Sequence, residues 1–148
     1  MPKVLLLNGS PRAHECTATA LEEMIKVFQE EGMMIACLDR LFFSTPFSKH
    51  MKVGAAVVSC RRGGNTASFD VLNKYFTISG MPVASSTYWN QVHGHNADDA
   101  KKDLEGLQTM RNLARNMSFM IRAFSDAKEK YGLPQVEGEF FTSFSDGK

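Results

Sequence analysis

The chain has 148 residues, of which 43% are hydrophobic and 22% are charged, and its formal net charge is +1 at pH 7. This length and composition predict one domain, residues 1–148, with a packed core rather than a disordered chain. The near-neutral charge argues against nucleic-acid and membrane partners, and no apolar run is long enough to span a membrane. The apolar stretch at residues 4–7 is too short for a signal peptide, so we expect a cytoplasmic location.

The first predicted elements indicate the start of a βαβ unit. Residues 4–7 are apolar on both faces, which is typical of a buried parallel strand. Residues 17–31 have the apolar spacing of an amphipathic helix. Thr19 and Glu22 fit a capping box near its start, and Gly32 fits its end.

The next segments depart from βαβ order. A second strand should follow the first helix, but residues 33–43 show a helical pattern and residues 44–52 indicate a loop. Residues 53–59, VGAAVVS, predict the second buried strand. A polar loop with two adjacent glycines follows at residues 60–66.

The second half of the chain continues with helices, loops and one more strand. A helix is predicted at residues 68–78 and a short strand at 81–84. A loop at 85–96 precedes a long helix at 98–131, whose apolar side chains form one stripe that suits packing on a sheet or on a partner subunit. Residues 132–148 are predicted to be an irregular tail.

Three donor-rich loops follow the predicted strands, at residues 8–16, 59–66 and 85–96. The carboxyl ends of parallel strands share one edge of a sheet, where such folds bind ligands. The hydroxyls of Ser10 and Thr17, the guanidinium of Arg12 and a helix N-terminus would suit a phosphate. An ordinary strand-to-helix turn with a surface arginine is the alternative.

The other two loops carry residues that suit a flat ligand. Gly63 and Gly64, next to Arg61 and Arg62, would let the backbone approach a ring closely, although a solvated basic turn has the same composition. Trp89, in the third loop, would stack on a ring, pack at a subunit interface or lie in the core. His93 in the same loop is a weaker candidate, because a single loop histidine is more often an exposed surface residue.

The chain shows no sign of a metal site or of an amino-acid catalyst. Cys16, Cys37 and Cys60 are odd in number and far apart, and no C-x-x-C pair exists, so we expect neither zinc nor an iron–sulfur cluster. Packed thiols are the simpler interpretation. No nucleophile or acid–base pair stands out.

The segments that carry a family resemblance are KVLLLNGSPR, LDRLFFS, VGAAVVSCRRGGNTASFDVLNKYFTISGMPV and YWNQVHG. Across residues 3–120 the chain resembles the NAD(P)H-dependent FMN reductases of the flavodoxin-like fold, near the multimeric flavodoxins and iron–sulfur flavoproteins. The resemblance implies an α/β three-layer sandwich with a parallel sheet. It implies hydride transfer from NAD(P)H through bound FMN to a small-molecule electron acceptor, with no catalytic amino acid, and a homodimer or homotetramer.

The resemblance also implies which residues bind the cofactor. Ser10, Arg12 and Thr17 would hold the FMN phosphate, and the loop after the second clear strand would lie against the flavin ring. The full candidate set is Ser10, Arg12, Thr17, Arg61, Arg62, Gly63, Gly64, Asn65, Trp89 and His93.

The chain departs from the family pattern in its middle. Residues 1–32 resemble the family's first strand and helix, whereas the sequence from about residue 34 resembles the third helix leading into the fourth strand. About two central strand–helix units are therefore expected to be absent. The exposed edge of the first strand would then be closed by the fourth strand or by a second chain.

Two other functions remain open on the sequence alone. In the first, the shortened chain is a non-catalytic flavodoxin-like remnant that acts through self-assembly. In the second, it binds a mononucleotide or phosphate without redox chemistry.

Overall fold

The computed structural model describes residues 3–6, 16–30, 34–37, 48–138 and 140. These ranges contain helices and four parallel strands in two separate two-stranded sheets, which is compatible with an α/β fold. The elements are β1 (Lys3–Leu6), α1 (Cys16–Glu30), β2 (Met34–Cys37), β3 (Val58–Cys60), α2 (Asn65–Ile78), β4 (Gln91–His93), α3 (Ala97–Ala100) and α4 (Leu104–Tyr131).

A second strand follows the first helix after all. β2 pairs in parallel with β1, in a register that runs from Lys3 opposite Met34 to Leu6 opposite Cys37. The helix predicted at residues 33–43 is therefore wrong over 34–37, and residues 38–43 lie outside the described ranges. Periodicity cannot separate a short apolar strand from a helix, and here pairing with β1 decides. One strand that we expected to be absent is thus present.

The strand predicted at residues 53–59 pairs with the chain around residues 82–94 in two places. Gly54 forms an isolated parallel bridge with Val83, which is all that forms of the short strand predicted at 81–84. Further along, β3 pairs in parallel with β4, with Val58 opposite Gln91 and Cys60 opposite His93. β4 therefore lies inside a segment that we predicted to be entirely loop.

Asn90 bridges the interval between these two pairings. Its side-chain Nδ2 donates to the backbone carbonyl oxygen of Ala56 at 3.0 Å. The backbone carbonyl oxygen of Asn90 accepts from the backbone amide of Val58 at 3.0 Å. The asparagine amide thus substitutes for a ladder hydrogen bond, while residues 85–89 lie outside the strand pairing. This arrangement re-establishes the parallel register that puts the ends of β3 and β4 side by side.

The core lies between α1, α4 and the strands. The predicted helix at 17–31 is confirmed as α1, and Met24 and Phe28 on its apolar face are 1% and 0% exposed. Thr19 is buried within this helix, so the predicted capping box does not form its N-terminus. The stripe on the long helix is buried from Leu107 to Met117 and packs in the same cluster as α1.

The long helix predicted at 98–131 is two helices. α3 ends at Ala100 and α4 begins at Leu104, because Asp103 caps α4 by accepting a hydrogen bond from the amide of Gly106 at 2.9 Å. The helix predicted at 68–78 is confirmed as α2, which begins three residues earlier. Residues 132–138 are neither helix nor strand, as predicted for the tail. No helix in the described ranges is both long enough and apolar enough to cross a bilayer.

Candidate functional site

The structure places most of the candidate residues at the carboxyl ends of β3 and β4. Thr17 is the second residue of α1, Asn65 is the first residue of α2, and His93 is the last residue of β4. Residues 61–64 form the turn between β3 and α2. Ser10 and Arg12 lie outside the described residues, so their predicted role stays a prediction.

The N-terminal turn of α1 contacts both strands of this edge. The hydroxyl oxygens of Thr17 and Ser59 are 3.0 Å apart, which links α1 to β3. The buried thiol of Cys16 donates to the carbonyl oxygen of Gly94 at 3.2 Å and lies 3.4 Å from that of Asn96. The start of α1 is thereby fixed beside the end of β3 and the loop after β4.

The N-terminal turn of α2 contacts β4 through a buried amide network. Asn65 Nδ2 donates to Gln91 Oε1 at 2.7 Å and lies 3.2 Å from His93 Nε2. Gln91 Nε2 donates in turn to Thr66 Oγ1 at 3.1 Å. Asn65 and Gln91 are only 8% and 7% exposed, so these hydrogen bonds are screened little by solvent. Both side chains on this face of β4 therefore hold the start of α2 in place.

The electrostatics of this edge favour an anion. The N-termini of α1 and α2 each contribute the positive end of a helix dipole and backbone N–H groups of the first turn. Gly64 is the N-cap of α2 and supplies no side-chain acceptor to that turn. Arg61 and Arg62 are exposed beside it and add positive charge. A phosphate or another anion is the ligand that such an arrangement suits.

The two glycines of the turn leave its backbone accessible. A Cβ placed on Gly63 would meet no atom within 4 Å, and the same is true at Gly64. Apart from the chain neighbours of each glycine, no atom lies close to this side of the turn. The flat ligand expected from the sequence stays a prediction.

Asp103 joins this network through His93 and was missed in the sequence. Its Oδ2 accepts from the backbone amide of His93 at 2.6 Å and lies 3.5 Å from the ring Nδ1. The only sequence signal was its position at a helix start, which the long helical pattern concealed. Gln91 was missed as well, because it lay in a segment that we predicted to be loop. His93 is exposed, as the simpler interpretation expected, but its ring has defined partners on both nitrogens.

Trp89 lies in residues 85–89, the segment before β4 that takes no part in strand pairing. It is 51% exposed, so core packing, one of the interpretations of this residue, does not apply. Its ring packs on that of Tyr88, with ring centroids 5.1 Å apart and the ring planes tilted by 45°. The pair presents an aromatic surface to solvent, which suits stacking on a ligand ring or contact with another subunit.

A scan against protein-family models finds no match, and searches of curated proteins and of solved structures find no significant one. In the part of the chain that the structure describes, no three His, Cys, Asp or Glu side chains are grouped so that they could hold a metal ion. Function is therefore inferred from the residues at the edge of β3 and β4.

Proposed function

We propose that the chain is an FMN-dependent NAD(P)H oxidoreductase with a flavodoxin-like arrangement, and that it binds FMN at the carboxyl ends of β3 and β4. One observation carries the proposal: the N-termini of α1 and α2 meet at this edge through the Thr17–Ser59 and Asn65–Gln91 contacts. Flavin mononucleotide has both the phosphate that suits helix N-termini and the flat ring that suits the glycine turn.

The strand pairing also supports this arrangement. In a flavodoxin-like sheet the second strand lies beside the first, and FMN binds where the strand order reverses. Here β2 lies parallel to β1 and β4 lies parallel to β3, and within the described residues these pairs form two separate two-stranded sheets. The segments that we propose to bind FMN follow the carboxyl ends of β3 and β4, which is the edge where α/β sheets bind ligands.

Each part of the site has a defined task in this proposal. Ser10, Arg12 and Thr17 bind the phosphate, and Arg61 with the backbone of Gly63 and Gly64 faces the ring. When bound, FMN supplies the redox chemistry, with NAD(P)H as hydride donor and a small molecule as acceptor. The protein's own residues bind and orient, and no side chain needs to act as a nucleophile.

We also propose that the chain forms a homodimer or homotetramer. Several large apolar side chains of α2 remain exposed, among them Tyr75 at 44% and Ile78 at 87%. Contiguous exposed apolar surface is typical of protein interfaces. Size-exclusion chromatography with light scattering measures this directly, and a monomer at all concentrations would contradict it.

Titration of the purified protein with FMN, riboflavin and AMP tests the proposed function. We expect saturable FMN binding in the micromolar range or tighter, weaker riboflavin binding because riboflavin has no phosphate, and weak AMP binding because AMP has no flavin ring. The FMN complex should then oxidise NADH or NADPH in the presence of a quinone. Equal affinity for FMN and AMP would instead indicate a phosphate or mononucleotide site, and no binding at all would favour the non-catalytic remnant.

A matched pair of arginine variants locates the binding. Arg61→Gln should weaken FMN binding by about tenfold or more, the range expected for a charge-assisted hydrogen bond. Arg115→Gln removes the same charge from an exposed position on α4 and should leave the affinity unchanged. Equal effects of the two variants would show that only net charge matters.

A further inference from the structure

The side-chain amide of Asn65 is held by a chain of polar contacts that begins at Asp103. Asp103 is fixed by the amides of Gly106 and His93, which donate to its two carboxylate oxygens at 2.9 and 2.6 Å. The ring Nδ1 of His93 lies 3.5 Å from the same carboxylate, and its Nε2 lies 3.2 Å from Asn65 Nδ2. Asn65 Nδ2 also donates a hydrogen bond to Gln91 Oε1, at 2.7 Å.

The partners determine where the proton lies on the neutral imidazole. A carboxylate can only accept, so the 3.5 Å approach of Asp103 favours the tautomer whose hydrogen lies on Nδ1. His93 Nε2 is then an acceptor, and the amide nitrogen of Asn65 donates to it. Both N–H groups of Asn65 are engaged, one by His93 and one by Gln91. The amide can therefore offer a ligand only its acceptor, Oδ1.

We propose that His93 is a positioning residue, kept in its Nδ1–H tautomer by Asp103, which fixes the Asn65 amide so that Oδ1 accepts a hydrogen bond from a ring N–H of the ligand. The inference deepens the proposed function and rests on it for the identity of that ligand, because an isoalloxazine ring carries such an N–H. It gives the site a preference for ring edges that donate over ring edges that only accept.

Asp103→Asn is the most informative variant. Asparagine is as good an N-cap as aspartate, so the start of α4 should be kept. One amide atom still accepts from Gly106, but the other becomes an NH₂ group that faces both the backbone N–H and the ring Nδ1 of His93. The imidazole should then adopt the Nε2–H tautomer. In that tautomer, the ring N–H and the Asn65 amide N–H are both donors and cannot form a hydrogen bond with each other. Asp99→Asn is the matched control, because it removes the same charge close by on α3, and the partners of its carboxylate are Lys102 and the backbone of His95 rather than His93.

Nitrogen-15 NMR of the histidine rings at pH 8 reads the tautomer without any ligand. We expect His93 as Nδ1–H in the wild type and in Asp99→Asn, and as Nε2–H in Asp103→Asn. A wild-type ring in the Nε2–H form, or an Asp103→Asn ring that stays Nδ1–H, would overturn the positioning role. This readout stands even if FMN does not bind, so failure here is separate from failure of the proposed function.

Ligand affinity provides the second readout. Asp103→Asn and His93→Phe should weaken FMN binding by about tenfold, as expected for one misdirected buried hydrogen bond. His93→Gln retains an acceptor for Asn65 and should recover most of the affinity. An affinity that is equally low in His93→Phe and His93→Gln would mean that the imidazole only fills space.

Discussion

At the scale of single residues, the neighbouring Gly63 and Gly64 differ in whether the backbone conformation requires glycine. Gly64 has a φ of 88°, in the left-handed region that disfavours residues with a Cβ, and it forms the N-cap of α2. Gly63 has no such restriction, and a Cβ there would meet no atom within 4 Å. Backbone conformation therefore requires the second glycine, whereas only a bound ligand would require the first.

This difference predicts opposite behaviour of two variants. Gly64→Ala should lower the free energy of unfolding by about 1 kcal/mol, because alanine is strained in this conformation. Gly63→Val should leave stability within about 0.5 kcal/mol, as for other surface substitutions, yet weaken FMN binding by placing a branched side chain over the accessible backbone. Chemical denaturation and FMN titration measure the two effects. Tight FMN binding by Gly63→Val would remove this turn from the site.

Sequence reasoning found the residues that border the candidate site more readily than the contacts that hold them. The glycine turn and Asn65 were recognisable from local composition. Gln91 and Asp103 were not, because their importance comes from hydrogen bonds to residues far along the chain. The local sequence around a polar residue in a predicted loop or helix does not show whether that residue has a distant hydrogen-bond partner.

At the scale of elements, the ion pair between Glu23 and Arg111 joins α1 to α4. Arg111 Nη1 lies 2.7 Å from Glu23 Oε1, and Lys26 Nζ lies 2.9 Å from Oε2. Hydrogen bonds from Lys26 and then from Arg111 hold the pKa of Glu23 below its ordinary value of 4.5. The carboxylate is therefore more easily ionised in the folded chain than in the unfolded chain.

The lowered pKa sets the sign of a pH dependence. Glu23 contributes stability above the pKa of the unfolded state, and that contribution is lost as the pH falls through the folded pKa. Glu23→Gln should lower the free energy of unfolding at pH 7 by about 0.5–1 kcal/mol, since Arg111 is partly exposed and solvent screens the pair. The difference from wild type should shrink as the pH falls below the ordinary pKa of 4.5 and disappear once the pH is below the lowered pKa of the folded state.

Glu22→Gln is the control for this comparison, because Glu22 is exposed on the same helix. It changes the net charge equally and should change stability little at either pH. Urea denaturation at pH 7 and in acid below the lowered pKa of Glu23 measures all three proteins. A Glu23→Gln difference that persists undiminished in acid would mean that packing, not ionisation, stabilises this contact.

The elements themselves differed in how well the sequence predicted them. α1 was predicted because amphipathic spacing over several turns is a strong signal, and α2 was predicted with a start three residues too late. β2 and β4 are four and three residues long, too short for periodicity to identify, and pairing with β1 and β3 defines them. The break before α4 depends on the side chain of Asp103, which a continuous apolar stripe conceals.

At the scale of the whole molecule, the segments that we propose to bind a ligand are distant in sequence but lie at one edge. The parallel pairing of β3 with β4 places their carboxyl ends together, and the N-termini of α1 and α2 contact that edge. This architecture follows from strand–helix order, which the sequence showed in outline. The expected shortage of strands was overestimated, because β2 was taken for a helix.

The central claim is that residues 16–17, 61–66 and 91–96 form one site for a phosphate-bearing flavin. Amide nitrogen–proton NMR spectra recorded during titration with FMN test it most directly. We expect the largest shifts to fall in all three segments together and to saturate at one common affinity, with the outer part of α4 unaffected. Shifts confined to one segment, shifts centred on α4, or an unchanged spectrum at saturating FMN would contradict it.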